Sequence, residues 1–301
     1  MNITFPPYLK ENDKVIILSP SSKIDKQFIE GAKNRLESWG LKVSIAKSAK
    51  QSYGKYAGTI AQRLEDLQNA MDDESIKGIL CSRGGYGAIH LIDKINFNKF
   101  SQHPKWLIGF SDITLLHYLF QKKGFASLHS LMGRHLCVEA ADDPCTLHLK
   151  DILFGIKPDY ICEKHKLNHL GTTKGILRGG NLAVASGLRG TPYDITPEGT
   201  ILFIEDVGEL PHAIERMIYN LKLGGILSKI SGLIIGQFTE YEEDLSLGKD
   251  VYQAIADLVE EYHYPVCFNF PVGHVKNNLP LIEGGEVELS VCKKNVELKF
   301  I

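Results

Sequence analysis

Short apolar runs rich in Val and Ile alternate with amphipathic helical stretches through the first half of the chain, and no other sequence feature restricts the fold as much. VIILSP (15–20) precedes a stretch that sets Phe28, Ile29, Ala32, Leu36 and Trp39 on one face and stops at Gly40. KVSIAK (42–47), the helical TIAQRLEDLQNAMDD (59–73), GILCS (78–82), a glycine loop, a further helical stretch and WLIGFS (106–111) follow. Repeated β and α units predict a doubly wound parallel sheet, in which ligands sit beyond the carboxyl ends of the strands. The glycine loop after Ser82 and the serine closing WLIGFS both fall at such ends.

From about Pro144 to Gly175 the pattern gives way to polar sequence (CEKHKLNHLGTTKG), read as the crossover into a second domain. Two α/β domains are therefore expected, over 1–155 and 156–301. The second offers GILRGG, the helical NLAVASGL, TILFIED (200–206), a helix through Ile214, Met217, Ile218 and Leu221, GLIIGQF (232–238), a helix near 249–261, and YPVCFNFPVGH. Its closing stretches, LIEGGEVELSV and VELKF, alternate as a hairpin does. The second domain reads as a smaller, mixed α/β unit.

Composition removes several function classes. A length of 301 residues with 44% hydrophobic content supports two real cores. With 34 basic against 36 acidic residues the net charge is −2, so no basic field exists to hold nucleic acid. The N-terminal sequence carries Pro6, Pro7 and Asp13 where a signal peptide needs an apolar stretch. No apolar run reaches the roughly 18 residues of a membrane span, and a cytoplasmic protein is expected. Six cysteines without CxxC spacing read as reduced thiols, and no HExxH or Cys/His cluster suggests a metal.

Four places carry chemistry. Ser111 follows a buried strand, with Gly109 two residues before it and Asp112 directly after. Such a serine is either the cap of the next helix or a nucleophile on a strand-to-helix elbow. The elbow pattern G-x-S-x-G is incomplete, because Ile113 stands where its second glycine would be. SRGGYGA (82–88) also joins a strand to a helix and could bring backbone N–H groups to an anion or simply turn tightly; it lacks G-x-G-x-x-G spacing. A nucleophilic serine needs a base. Among 11 histidines, His90, His117 and His148 lie in helical stretches, whereas His129 and His274 sit at strand ends. His274 is favoured because residues 265–273 read as a buried strand ending in glycine. TILFIED supplies Glu205 and Asp206 at a strand end, as an orienting acid or as a solvated cap.

SRGGYGA, GFSDIT, RGGNL (178–182), LFIEDVGE (202–209) and FPVGH (270–274), in this order, resemble the LD-carboxypeptidase family, which includes muramoyltetrapeptide carboxypeptidases and microcin C self-immunity proteins. The opening DKVIILSPSS is similar to the family's first strand. The resemblance implies an amino-terminal domain like the class I glutamine amidotransferases, a smaller carboxy-terminal α/β domain and a homodimer. It implies a serine peptidase with Ser111, Glu205 and His274 as catalytic triad and an oxyanion hole from the backbone of Asp112 and Gly85. Arg83, Tyr86 and Arg178 are candidates to bind substrate, the arginines through a terminal carboxylate. No metal or organic cofactor is implied. Many members carry His-Gly-Pro where this chain has His129, Ser130 and Leu131, a departure at the floor of the cleft.

The function so implied is release of the terminal D-alanine from murein tetrapeptides in peptidoglycan recycling, with a small peptide or muropeptide as partner. The nearest rival keeps the chemistry and cleaves an aminoacyl-nucleotide amide, as an immunity protein does. That substrate calls for an aromatic in a loop of the second domain to stack on the base, whereas Trp39 and Trp106 both fall in core-like patterns of the first. An α/β-hydrolase esterase shares the order Ser, acid, His but wants the missing glycine. A small-ligand binding module would leave the strand ends at Glu205 and His274 unexplained.

Overall fold

A computed structural model of the chain describes residues 3–301. They form two units: the chain up to Ile156 together with Leu279–Glu283, and Lys157–Asn278 together with Gly284–Ile301. Each is built on one sheet.

In chain order the first unit contains β1 (Lys14–Leu18), α1 (Lys26–Ser38), β2 (Lys42–Ile45), α2 (Ile60–Asp72), β3 (Ile76–Cys81), β4 (Trp106–Gly109), α3 (Thr114–Lys122), β5 (Ser127–His129), α4 (Gly133–Val138) and α5 (Pro144–Leu153). The second contains β6 (Asp159–Glu163), β7 (Gly171–Asn181), α6 (Leu182–Ser186), β8 (Thr200–Val207), α7 (Pro211–Leu223), β9 (Gly232–Thr239), α8 (Val251–Val259) and β10 (Val266–Cys267). The chain then returns to the first unit for β11 (Leu281–Glu283) and closes the second with β12 (Glu286–Val291) and β13 (Asn295–Phe300).

The first sheet runs β2-β1-β3-β4-β5-β11, parallel except for β11. Winding reverses between β1 and β3, and ligands of such sheets sit beyond the carboxyl ends of the strands at a point of this kind. Every residue of β4 is buried, as the apolar run requires of a central strand. Helix α2 starts on a capping box: Thr59 Oγ1 accepts the Gln62 N–H at 3.3 Å, and Gln62 Oε1 accepts the Thr59 N–H at 2.9 Å. Phe97, Phe100, Phe120 and Phe125 pack ring on ring, with centroids 5.0–6.0 Å apart.

The second sheet runs β10-β9-β8-β7-β12-β13-β6. Strands β7 to β10 are parallel, and the remainder is antiparallel. Ile214 and Ile218 of α7 and Ile255 and Val259 of α8 share a core with Leu202, Ile204, Leu233 and Ile235 of the strands.

Four local expectations give way. Two short 3-10 turns, Ala88–His90 and Phe100–Gln102, follow the glycine loop where a helix was expected. Downstream, the Asn96 and Gln68 side chains bond backbone groups and compete with helical pairing. Residues 265–273 contribute two residues of strand, because Asn269 at φ 61° and Pro271 interrupt the ladder. Leu281–Glu283 leaves the closing hairpin, which is β12 with β13, to become the antiparallel edge of the first sheet. All three of its residues are buried, Glu283 by bonding Gln121 Nε2 at 2.5 Å, so it cannot alternate as a hairpin strand does. Finally, Trp106 is core, but Trp39 is only half-buried at the end of α1.

Lys105 is a buried cation with a structural task. Its Nζ donates to the carbonyls of Ala70 (3.2 Å), Met71 (2.8 Å) and Asp73 (2.7 Å), closing the carboxyl end of α2, and burial pulls its pKa down to about 8. Lys105→Met keeps the stem and leaves those carbonyls without a donor. It is expected to cost about 1–3 kcal/mol, read as a lowered midpoint in urea unfolding; an unchanged midpoint would show that the ammonium contributes nothing.

Candidate active site

Strand β4 ends at Gly109, Phe110 stays extended, and Ser111 turns with φ 65°, the left-handed region that a non-glycine residue enters at a cost of about 1–2 kcal/mol. A 3-10 turn, Ser111–Ile113, then runs directly into α3. Ser111 therefore stands on a strained strand-to-helix elbow, and the structure explains how Ile113 is accommodated there. A Cβ on Gly109 would lie 3.0 Å from Ile113 Cγ1 and 3.0 Å from Cys81 Cβ, so the glycine before the serine makes the room that the missing second glycine would have made.

The glycine loop lies against this elbow. A Cβ on Gly84 would be 2.8 Å from Ser111 Cβ, 3.0 Å from its Oγ and 3.1 Å from the Asp112 nitrogen. Glycine at 84 keeps both the hydroxyl and the first N–H of the turn uncovered. Gly85, the residue singled out in the sequence, has φ 92° and its Cα faces the Ser22 hydroxyl. Ser22 accepts the Tyr86 N–H at 3.1 Å and donates its own N–H to the Gly84 carbonyl at 3.1 Å. Arg83 is exposed and donates to the Lys23 carbonyl at 3.1 Å; the exposed Tyr86 ring has the Lys55 ammonium 4.5 Å from its centroid. The Asp112 side chain is 2% exposed, and its Oδ2 accepts from Ser21 Oγ at 2.6 Å and from the Ala88 N–H at 2.9 Å. Gly84, Ser21 and Ser22 were missed by the sequence reading. Only the position of Ser21 and Ser22 after the first strand could have signalled them.

The second unit brings Glu205 and His274 together. Glu205 Oε2 and His274 Nδ1 are 2.8 Å apart, with the carboxylate fully buried and the imidazole half-buried. Two features aim the pair. The register between β8 and β9 jumps from Ile204↔Ile235 to Asp206↔Phe238, a bulge that sets Gly236 and Gln237 opposite Glu205. Gly273 (φ 126°) lets its backbone close on the carboxylate, since a Cβ there would be 2.9 Å from both Glu205 Cβ and Oε2. Buried Asn278, unmarked in the sequence, accepts the Gly273 N–H at 2.9 Å and so fixes the residue before the histidine. Burial depresses the His274 pKa, but the Glu205 hydrogen bond and charge, helped by Asp206 and Glu240, outweigh it and hold the pKa above 6.5.

Asp206 points to the opposite face of β8 and is 2% exposed rather than solvated. It accepts from Asn181 Nδ2 (2.9 Å), the Ala183 N–H (2.7 Å) and its own Val207 N–H (2.8 Å), thereby serving the start of α6; burial pushes its pKa up to about 6. Arg178 is half-buried on β7, and the glycine after it is enforced by the Phe203 carbonyl, which leaves no room for a Cβ at Gly179.

The other histidines have their own settings. His129 is a fully buried residue of β5, its ring 5.7 Å from Phe110 and 6.4 Å from His117. His117 is a satisfied core histidine, bonded to Ser127 Oγ and the Gly109 carbonyl, both at 2.8 Å, with its pKa pulled down to about 4 by burial. His90 meets Arg63 Nη2 at 3.3 Å, and His148 lies in α5. Among the described residues no group of His, Cys, Asp and Glu is arranged to hold a metal ion, and no helix is long and apolar enough to cross a membrane.

Residues 15–130 match the model of the LD-carboxypeptidase N-terminal domain and 174–289 that of the C-terminal domain. The chain is 30% identical to the probable murein peptide carboxypeptidase of Bacillus subtilis, over 98% of this chain and 94% of that one. It is 29% identical to the murein tetrapeptide carboxypeptidase of Pseudomonas aeruginosa, over 88% and 89%. The crystal structure of muramoyltetrapeptide carboxypeptidase from Oxalobacter formigenes superposes with a TM-score of 0.87 at 26% identity, covering 95% of this chain and 98% of that one. Microcin C7 self immunity protein, in complex with aspartyl sulfamoyl adenosine, shares the fold with a TM-score of 0.87 at 20% identity over 98% of each chain. The chain belongs to the LD-carboxypeptidase family of serine-type peptidases.

Proposed function

We propose that the protein removes the terminal D-alanine from murein tetrapeptides in peptidoglycan recycling, acting as a cytoplasmic homodimer with Ser111, Glu205 and His274 as its triad. The observation that carries the reading is the fully buried Glu205 carboxylate bonded to His274 Nδ1 at 2.8 Å. A carboxylate in that position fixes the tautomer with the proton on Nδ1 and leaves Nε2 as the basic nitrogen. Similarity to the probable murein peptide carboxypeptidase of Bacillus subtilis and to the murein tetrapeptide carboxypeptidase of Pseudomonas aeruginosa supports the substrate class. Location and dimer follow from the family resemblance.

In the proposed reaction His274 Nε2 takes the Ser111 proton as Oγ attacks the carbonyl between the diamino acid and D-alanine. The oxyanion is held by backbone N–H groups of Asp112 and the glycine loop, Gly85 or its neighbour Gly84. Protonated His274 gives its proton to the leaving amine, D-alanine departs, and water hydrolyses the acyl-enzyme by the reverse proton path. Arg83 or Arg178 binds the terminal carboxylate, and Tyr86 shapes the rim. Aminoacyl-nucleotide amides are the alternative substrates.

Purified protein is expected to release D-alanine from L-Ala-γ-D-Glu-(meso-diaminopimelate or L-Lys)-D-Ala, and Ser111→Ala to lower the rate by at least about 10³-fold with its unfolding midpoint kept. Retained turnover in the variant would remove Ser111 from the mechanism; inactivity of the native protein on both peptides, with hydrolysis of an aminoacyl sulfamoyl adenosine, would move the substrate class.

His274 must be neutral to act as base, so its raised pKa places the acid limb of kcat/KM above pH 6.5. Glu205→Gln removes the main raising influences and leaves burial, which lowers, opposed only by the weaker pull of Asp206 and Glu240. The ring of His274, followed by NMR, is expected to titrate at lower pH in the variant than in the native protein, and D-alanine release to fall about 10³- to 10⁴-fold. An unmoved ring titration would mean that Glu205 does not govern the imidazole.

A further inference from the structure

An oxyanion hole assembled from two loops works only if the gap between the loops is held to a fraction of an ångström. In this chain the two loops are the elbow at Ser111–Asp112 and the glycine loop 82–88, with the 19–22 segment after β1 packed beside the latter. They follow the neighbouring strands β3 and β4, whose ladder ends at Leu80↔Ile108, so beyond the strand ends side chains must set the gap. What ties them is a pair of buried charges. Asp112 Oδ2 accepts from Ser21 Oγ at 2.6 Å and from the Ala88 N–H at 2.9 Å. Arg63, 1% exposed on α2, donates from Nη1 to the Pro20 carbonyl at 2.5 Å and to the Gly87 carbonyl at 2.8 Å.

The carboxylate thus ties the elbow to the Ser21 hydroxyl and the Ala88 N–H, and the guanidinium ties the preceding residues, Pro20 and Gly87, of the 19–22 segment and the glycine loop to each other. A neutral cap would suffice to satisfy two donors. Burying a carboxylate and a guanidinium for this purpose is costly, and each pulls on the other: Arg63 and His90 lower the pKa of Asp112, though burial leaves it above its ordinary value. Cys81, the other titratable group beside Asp112, has its thiol pushed up by burial and stays neutral. Gly85 and Gly87 at φ 92° and 136° show how far the loop is drawn from ordinary backbone geometry between its anchors.

We infer that Asp112 and Arg63 are positioning residues, a charged staple that sets the distance between the glycine loop and the Ser111–Asp112 backbone. This rests on Ser111 being the nucleophile, as proposed above, and extends it from the Asp112 N–H to the Asp112 side chain. The staple acts on the attack step and not on substrate affinity, so its loss should appear in kcat.

The test follows two readouts in Asp112→Ala, Asp112→Asn, Ser21→Ala and Arg63→Lys: the rate at which a fluorophosphonate probe phosphonylates Ser111, with Ser111→Ala as the labelling blank, and kcat and KM for D-alanine release. Asp112→Ala is expected to slow labelling and kcat by at least about 30-fold while KM moves less than about threefold. Asp112→Asn, which keeps an acceptor oxygen, should recover at least about a third of that loss on a logarithmic scale, and Ser21→Ala should slow both rates by about three- to tenfold. A folded Asp112→Ala protein that labels and turns over within about threefold of the native protein overturns the staple. If that variant fails to fold, unchanged rates in both Ser21→Ala and Arg63→Lys do so. Native protein that labels at Ser111 but releases no D-alanine defeats the carboxypeptidase reading and leaves the staple judged on labelling; native protein that does not label defeats both.

Discussion

The left-handed backbone of Ser111 is the constraint around which the first unit is arranged. A non-glycine residue persists there only where its surroundings over-determine it. Gly109 admits Ile113, whose side chain anchors the start of α3, and eight of the nine residues of that helix are buried. Burial of this kind supplies several times the cost of one strained residue. Gly84 is free of a side chain where one would press on the hydroxyl, so the strain is spent on exposing Oγ and the Asp112 N–H together. Strands β1, β3 and β4 are parallel neighbours, so three loops, at 19–22, 82–88 and 110–113, meet at one end of this sheet.

The second unit solves a different problem, holding a carboxylate without water. Glu205 is fully buried, so its charge must be met by a partner, and His274 is that partner. The bulge at Gly236 and Gln237 re-aims the strand end, and Gly273 admits the backbone that carries the histidine. Gln237 in turn holds that segment: its Nε2 donates to Asn269 Oδ1 at 2.8 Å, while its N–H donates to the Val272 carbonyl at 2.9 Å. The irregular path of residues 268–274 is thus pinned by side chains and by isolated backbone bonds, the Phe270 N–H to the Ile235 carbonyl among them, rather than by a continuous ladder.

How much of this the sequence discloses depends on the range of the interaction concerned. The alternating β and α units before Pro144 disclose the parallel sheet, because periodicity is local and β4 or α2 declares itself within ten residues. The matched family motifs disclose which family the chain belongs to. Positive φ at Ser111, the register jump at Glu205 and the grip of Asn278 on Gly273 leave no periodic trace; each depends on residues brought close by the fold. The same holds for Leu281–Glu283, whose apolar pattern fits either a hairpin or a sheet edge until Gln121 is found beside Glu283. Arg63 is the clearest case. In sequence it is one more charged residue on an amphipathic helix, and only its carbonyl partners show why it faces inward.

Three buried carboxylates lie at strand ends near the site residues, and their hydrogen-bond partners separate their roles. Asp206 is bonded to an amide side chain and two backbone N–H groups, none of which titrates in the neutral range; with its own pKa pushed up to about 6 by burial, it holds the start of α6 as a carboxylate only above that pH. Asp112 is bonded to a hydroxyl and a backbone N–H, again fixed donors, and fits a mechanical tie between loops. Glu205 alone of the three is bonded to an imidazole, a group whose proton comes and goes near neutrality. A carboxylate bonded to an imidazole orients the ring and stabilises its protonated form. The chemistry of the three donors, more than the burial they share, therefore sets Glu205, bonded to a titrating imidazole, apart from Asp112 and Asp206, bonded to fixed donors.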